Sequence, residues 1–343
     1  MLLKKIFCYS FLFISGSRTF CQSLSTDSNH VRHPCFDTAT ANQCQEQYFG
    51  NYENIYIYTR PKLFKFITNL PKDAVAIARS PFNKASVRPL LLIAGSTVLL
   101  LFADQAITDG VHQFSNNIHF HSEEEYKDVL SFPLGKQKVS LLKLPKNLNT
   151  GFYQAGQGFP SLLIGAGLYA YGSIHKDYRA VSTASQLVET FILMGVATQL
   201  LKRITGRQSP SEATVKGGNW HFFPSFKNFQ SHTPNFDAFP SGHLATLISS
   251  VTVLAENYSE KRWIKPVGYG ITGLVGYAMI NNKVHWASDY PLAIALGYLC
   301  GREVVKNNRK VISRSSKNKY TPELSCSFNY SGGRFMPEII YNF

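Results

Sequence analysis

The chain has 343 residues, 44% of them hydrophobic and 13% aromatic, enough for one large domain or two modest ones, and this excludes a chain too polar to build a core. Charged residues make up only 16%, yet the formal net charge is +14. Such a basic excess suits an anionic partner (phosphate substrates, acidic lipid headgroups or nucleic acid) or simply favours solubility.

At the amino terminus Lys4 and Lys5 precede the apolar run Ile6–Ile14 and then Thr19-Phe20-Cys21-Gln22. A basic start, a short apolar core and a cut near Cys21 or Gln22 read as a signal peptide over 1–21. The run is too short to cross a bilayer. Export follows, to a periplasmic or membrane-associated place outside the cytoplasm. Of the remaining cysteines, Cys35 and Cys44 close a short loop that an oxidising compartment would bridge. Cys300 lies in an apolar helical run and reads as a buried free thiol.

Residues 22–88 form a polar and aromatic extension with one short helix near Asp73–Arg79. From Pro89 the character changes. Apolar segments at Pro89–Ala103, Pro160–Ile174, Ala184–Leu201, Leu244–Ala255, Ile264–Ile280 and Pro291–Val305 are each long enough for a helix. The expectation is an all-α six-helix bundle over 89–308. The first run stops at Asp104, short of the ~20 apolar residues a spanning helix needs, and others are broken by Glu189 or Lys265. A soluble or membrane-associated bundle is favoured over an integral one.

Between the first two segments, 110–160 reads as a long connection containing Phe132-Pro133-Leu134-Gly135. His119, His121 and Glu123–Glu125 cluster there, but their spacing matches no strong ligand pattern, so a solvated loop explains them and no metal is expected. The tail 309–343 is basic at first, fit for anionic headgroups or merely a solvated helix end. It then reads as two strands, Leu324–Tyr330 and Arg334–Phe343, around Ser331-Gly332-Gly333.

Three segments supply what phosphoryl transfer needs. Phe239-Pro240-Ser241-Gly242-His243 precedes an apolar helix, placing a hydroxyl, free N–H groups and His243 at a helix amino terminus, a natural anion site. An ordinary Ser cap with an incidental histidine is the plainer alternative. His285 and Asp289 are four apart, on one face if the helix has begun, so the carboxylate can hold one imidazole nitrogen and leave the other free to attack. Lys202-Arg203-Ile204-Thr205-Gly206-Arg207-Gln208-Ser209-Pro210 ends a helix with cations, which also suit the macrodipole.

Together these segments resemble the signature of the type-2 phosphatidic acid phosphatase superfamily, which includes bacterial acid phosphatases and vanadium haloperoxidases. That signature reads Lys, six residues, Arg-Pro; then Pro-Ser-Gly-His; then Ser-Arg, five residues, His, three residues, Asp. The resemblance implies that His285 attacks phosphorus, Asp289 orients it, and His243 serves as acid and then base. It implies that Lys202, the Ser241 hydroxyl and the Gly242 N–H bind phosphate oxygens, without metal or other cofactor.

Two positions depart from the signature. Ser209 stands where the family has Arg, and Ala278-Met279 stands for Ser-Arg. Arg207, freed by Gly206, is the expected replacement cation, with Arg203 and Lys283 behind it. The leading reading is a phosphatase for a phosphomonoester or lipid phosphate, with no nucleic-acid partner. The alternatives are a relative that binds phosphate or phospholipid without turnover, and a vanadium haloperoxidase, which the missing arginines disfavour.

Overall fold

The computed structural model describes residues 44–49, 54–62, 64–120, 122, 125–134, 137–313, 324–331 and 334–341. The signal-peptide segment, Cys35, His121, Glu123, Glu124 and the basic residues 314–319 lie outside the described residues.

In chain order the elements are β1 (Cys44–Phe49), β2 (Asn54–Thr59), α1 (Lys65–Thr68), α2 (Leu70–Arg79), α3 (Val87–Asn117), β3 (Tyr126–Leu134) and β4 (Gln137–Pro145). Then follow α4 (Leu148–Gly156), α5 (Gly158–His175), α6 (Tyr178–Thr205), α7 (Phe226–Ser231), α8 (Gly242–Asn257), α9 (Ile264–Asn281) and α10 (Tyr290–Asn308). The chain ends with β5 (Lys310–Ser313), β6 (Leu324–Ser331) and β7 (Arg334–Tyr341).

All six expected helices are present, as α3, α5, α6, α8, α9 and α10, and the short helix near Asp73 is α2. The architecture is nevertheless not a simple six-helix bundle. The region read as an irregular extension carries the hairpin β1–β2, whose second strand pairs antiparallel with β5. Alternation in Asn54-Ile55-Tyr56-Ile57-Tyr58 carries that signal, and Tyr58 donates to Asn257 Oδ1 at 3.0 Å, tying β2 to the end of α8. The long connection likewise holds a hairpin, β3–β4. The terminal hairpin β6–β7 pairs as expected.

Packing of α6, α8 and α10 fixes where the functional residues meet. A Cβ on Gly297 would lie 2.4 Å from the Ala245 carbonyl oxygen, and one on Gly301 would lie 2.7 Å from that of Ser249. Both numbers rise by four along each helix, so α8 and α10 run parallel with backbones in contact, and glycine is what allows the approach. Their amino termini therefore share one end of the molecule. Asn257 at the end of α8 donates to Gln186 near the start of α6 at 2.6 Å, so α6 runs the opposite way and delivers its carboxyl end there. Between these helices and α9, Met194, Leu244, Ala245, Val275, Met279, Ala293 and Cys300 form an apolar cluster. Cys300 is a buried free thiol, as expected.

Asp104 does not stop the first apolar helix. Among the described residues, the stretch Lys84–Asn117, 34 residues, is one of two that are long and apolar enough to cross a membrane, the other being Tyr178–Thr205 with 28. Asp104 is tolerated because its carboxylate is fully buried against Arg207 and Ser288. The α3 surface, by contrast, is bare: Leu91 is 67% exposed, Leu92 73% and Phe102 89%. Contiguous apolar surface of this kind demands a non-aqueous neighbour. The bare face and the length of α3 support membrane association.

Candidate active site

Where α6 ends, Gly206 adopts φ 54, and a Cβ there would overlap the His221 carbonyl oxygen at 1.9 Å. Only glycine closes this cap. The chain then turns inward, with Lys202 on the last helical turn and Arg207 beyond it.

Lys202 is buried, and its Nζ lies 3.4 Å from Asp237 Oδ2. A Cβ on Gly242 would sit 3.8 Å from the same Nζ, so the ammonium rests against the first turn of α8. Ser241 caps that helix, its Oγ accepting from Leu244 N at 3.5 Å. Its own N–H donates to the Asp289 carbonyl oxygen at 3.2 Å, joining the second segment to the third. The rings of His243 and His285 stand 5.7 Å apart in an edge-to-face pair, and Tyr153 of α4 lies 5.2 Å from His243 on another side. Six of the seven expected site residues thus gather at one end of the molecule: Lys202, Ser241, Gly242, His243, His285 and Asp289.

The seventh joins them through Asp289 but faces away from any open space. Arg207 is fully buried, and its guanidinium is spent on protein groups rather than open to a substrate. Nη1 donates to Ser288 Oγ at 2.6 Å and to Asp289 Oδ1 at 2.5 Å, while Nη2 donates to Asp104 Oδ2 at 2.7 Å and to the Gly217 carbonyl at 2.9 Å. The rings of Trp220 and Trp286 flank it at 4.9 and 5.5 Å. The reason is charge: two dry carboxylates must be paired, and a planar fork answers both. The weaker candidates do no better. Arg203 stacks on Phe229 at 4.0 Å, and Lys283 is exposed on a turn at φ 53.

The departed arginine positions are filled by packing. Ser209 is 2% exposed, its N–H bonded to the Pro234 carbonyl at 2.8 Å. Met279 is completely buried in the apolar core. Lys202 is therefore the one side-chain cation among the described candidates that lies beside the histidine pair.

His285 is held differently from the simple His–Asp picture. Its Nδ1 is 2.8 Å from the Ala238 carbonyl and 3.5 Å from Asp289 Oδ2, so the carbonyl takes the Nδ1 proton and Nε2 keeps its lone pair. Asp289 Oδ2 accepts instead from Trp286 N at 2.7 Å. Burial, seconded by the Lys202 charge, lowers His285 to about 3, so it is a neutral imidazole at ordinary pH. Burial, His285 and Lys202 also hold His243 well below the usual histidine range. Burial lifts Asp289 to about 6, with Arg207 pulling the other way.

Asp104 and Asp237 were not marked by sequence reading. Asp104 sits over a hundred positions before its partners, where it looked like a helix terminator. Asp237 lay in a loop with no spacing to distinguish it. Among the described residues no group of three or more His, Cys, Asp or Glu is placed to hold a metal.

Residues 183–312, which contain all three segments, match the PAP2 superfamily. This stretch belongs to that superfamily. Lipid A 1-phosphatase of Porphyromonas gingivalis is 27% identical over 139 residues, 38% of this chain, and the match spans only 30% of that protein's length. Among solved structures, Aquifex aeolicus LpxE is 22% identical, with 46% of this chain and 83% of that one covered at a TM-score of 0.34. A transmembrane PAP2-type phosphatidylglycerolphosphate phosphatase of Bacillus subtilis is 17% identical, with 75% and 100% covered at 0.37.

Proposed function

We propose that this chain hydrolyses a phosphomonoester, foremost a lipid phosphate, by two displacements at His285. Nε2 attacks phosphorus, the bond to the ester oxygen breaks, and His243 gives that oxygen a proton. Water, deprotonated by His243, then cleaves the phosphohistidine to free phosphate. Lys202 and the N–H groups opening α8 stabilise the charge on the equatorial oxygens. The observation that carries this reading is the tautomer of His285: its Nδ1 proton is taken by the Ala238 carbonyl at 2.8 Å, which leaves a neutral Nε2 beside His243.

His243 by itself is too weak a base to be protonated at neutral pH, but a phosphate dianion bound beside it supplies the missing charge. Asp289 acts through position rather than proton transfer, held by Arg207 on one oxygen and by Trp286 N–H on the other. The catalytic end is assigned to the extracytoplasmic side, on the amino-terminal pattern of Lys4, Lys5 and Ile6–Ile14. Vanadate chemistry fits these residues poorly, because a trianion would face Lys202 alone, and Lys202 is shared with Asp237.

The deciding experiment is hydrolysis of an aryl phosphate and of a lipid phosphate by the purified protein, in chelator, with acid quench to look for phosphohistidine. Turnover that vanishes in His285→Ala supports the reading. Phosphate binding with no turnover of either ester would replace it with a binding protein.

A further inference from the structure

Next to the candidate active site, the loop that leads into α7 displays aromatic rings to solvent. Phe222 is 65% exposed, Phe223 73% and Phe226 70%. The loop is not a loose end. Phe223 N–H donates to the Ile204 carbonyl at 3.1 Å and His221 N–H to the Gly206 carbonyl at 2.9 Å, pinning it to the last turn of α6. Phe223 is held at φ 54, a left-handed conformation that a bulky residue adopts only under constraint.

What lies on the other side is shown by α6 itself. Val196, Leu200 and Ile204 are exposed at four-residue spacing, one stripe along a helix long and apolar enough to span a membrane. That stripe runs directly into Phe223. Exposed Phe102 of α3 lies at the same level, since it precedes by two positions the Asp104 that bonds Arg207. The polar fringe fits as well. Arg203 stacks over the Phe226 ring at 5.0 Å and Lys227 follows it, cations where headgroup phosphates lie.

We infer that Phe222, Phe223 and Phe226 form an interfacial wedge, seated in the headgroup and upper acyl layer of the bilayer, which sets the mouth of the active site at the depth of a lipid's phosphate. The occupant is the lipid surface, and this rests on the reading of the site as a lipid-phosphate hydrolase. Aromatic rings favour that layer because they are apolar yet tolerate its dipoles. The inward face of the same helix end carries Lys202, so one turn of α6 presents the membrane on one side and the phosphate site on the other.

The test places the full chain in bilayers of phosphatidylcholine and phosphatidylglycerol with brominated acyl chains. Phe223→Trp should gain fluorescence, relative to wild type, that bromines near the headgroup quench more than bromines near the chain end. Absence of quenching at either depth overturns the wedge. Separately, Phe222→Ser with Phe223→Ser should raise KM for a long-chain lipid phosphate about tenfold and leave kcat/KM for a soluble aryl phosphate unchanged. Equal loss on both substrates would also overturn it. Should wild type turn over neither substrate, the hydrolase reading fails, while the quenching still decides the wedge.

Discussion

Arg207 Nη1 lies 2.5 Å from Asp289 Oδ1, with both side chains closed to solvent, and the same guanidinium reaches Asp104 Oδ2 at 2.7 Å. This makes Arg207 a positioning residue: it orients the carboxylate whose other oxygen faces His285. Removing one partner of a buried ion pair costs ~3–5 kcal/mol, because the other charge is stranded. Arg207→Ala strands two carboxylates, so thermal unfolding should show a loss at or above that range. Arg207→Lys keeps the charge but not the fork, and should lower kcat by about tenfold or more, while the inhibition constant of inorganic phosphate stays put. A large weakening of phosphate inhibition in the lysine variant would return Arg207 to the phosphate cradle.

Asp237 opposes the task of its neighbour. A carboxylate 3.4 Å from Lys202 Nζ shares the one cation beside the histidine pair and repels an incoming dianion. Asp237→Asn should therefore tighten inhibition by inorganic phosphate severalfold, an effect that fades as salt is raised because Asp237 is part exposed. Weaker inhibition would mean that Asp237 earns its place by holding Lys202 in position.

The histidines set the pH behaviour. Folded His285 titrates near 3 and His243 well below its ordinary value, whereas unfolded histidine titrates near ~6.5. A depressed folded pKa contributes stability that is present above ~6.5 and lost as pH falls toward the folded value. The melting temperature should drop on acidification from roughly pH 7 to roughly pH 4, and His285→Gln should flatten that drop. Turnover runs the other way at its basic limb: kcat should fall as rising pH strips the proton from His243 in the substrate complex. A kcat independent of pH up to alkaline values would remove His243 as the general acid.

The sequence was legible where chemistry depends on near neighbours. Ser241-Gly242-His243 before an apolar run announces a helix amino terminus, and α8 follows. His285, by contrast, precedes the helix that starts at Tyr290, so its spacing to Asp289 is not a shared helical face. It was illegible where partners are far apart. Nothing near Asp104 says that Arg207 will neutralise it, so a buried acid reads as a helix stop. Gly206 did signal a turn that frees Arg207, but whether a guanidinium faces substrate or two carboxylates is decided by α3, a separate segment. The strands of β3 and β4 were hidden for a related reason: a hairpin's pairing is visible only when both alternations are weighed together.

The lost arginines can be put back, and the outcome separates a rebuilt site from an eroded one. Met279 is completely buried beside Met194, Leu244 and Val275, and a Cβ on Gly156 would lie 3.3 Å from its methyl and 3.2 Å from His243 Cβ. An arginine there has the reach of the phosphate region, but without phosphate it is an unpaired charge in an apolar core, which is strongly unfavourable. Ser209 is equally closed, its N–H already bonded to Pro234. Ser209→Arg with Met279→Arg should thus lower the melting temperature, recover part of the loss in saturating phosphate, and leave kcat/KM no higher than wild type. The comparison is made with one aryl phosphate, by melting with and without phosphate and by initial rates. A rise in kcat/KM of tenfold or more would show a cradle that lacks only its cations, and the protein would then be a phosphatase weakened by their loss rather than one repacked around Lys202.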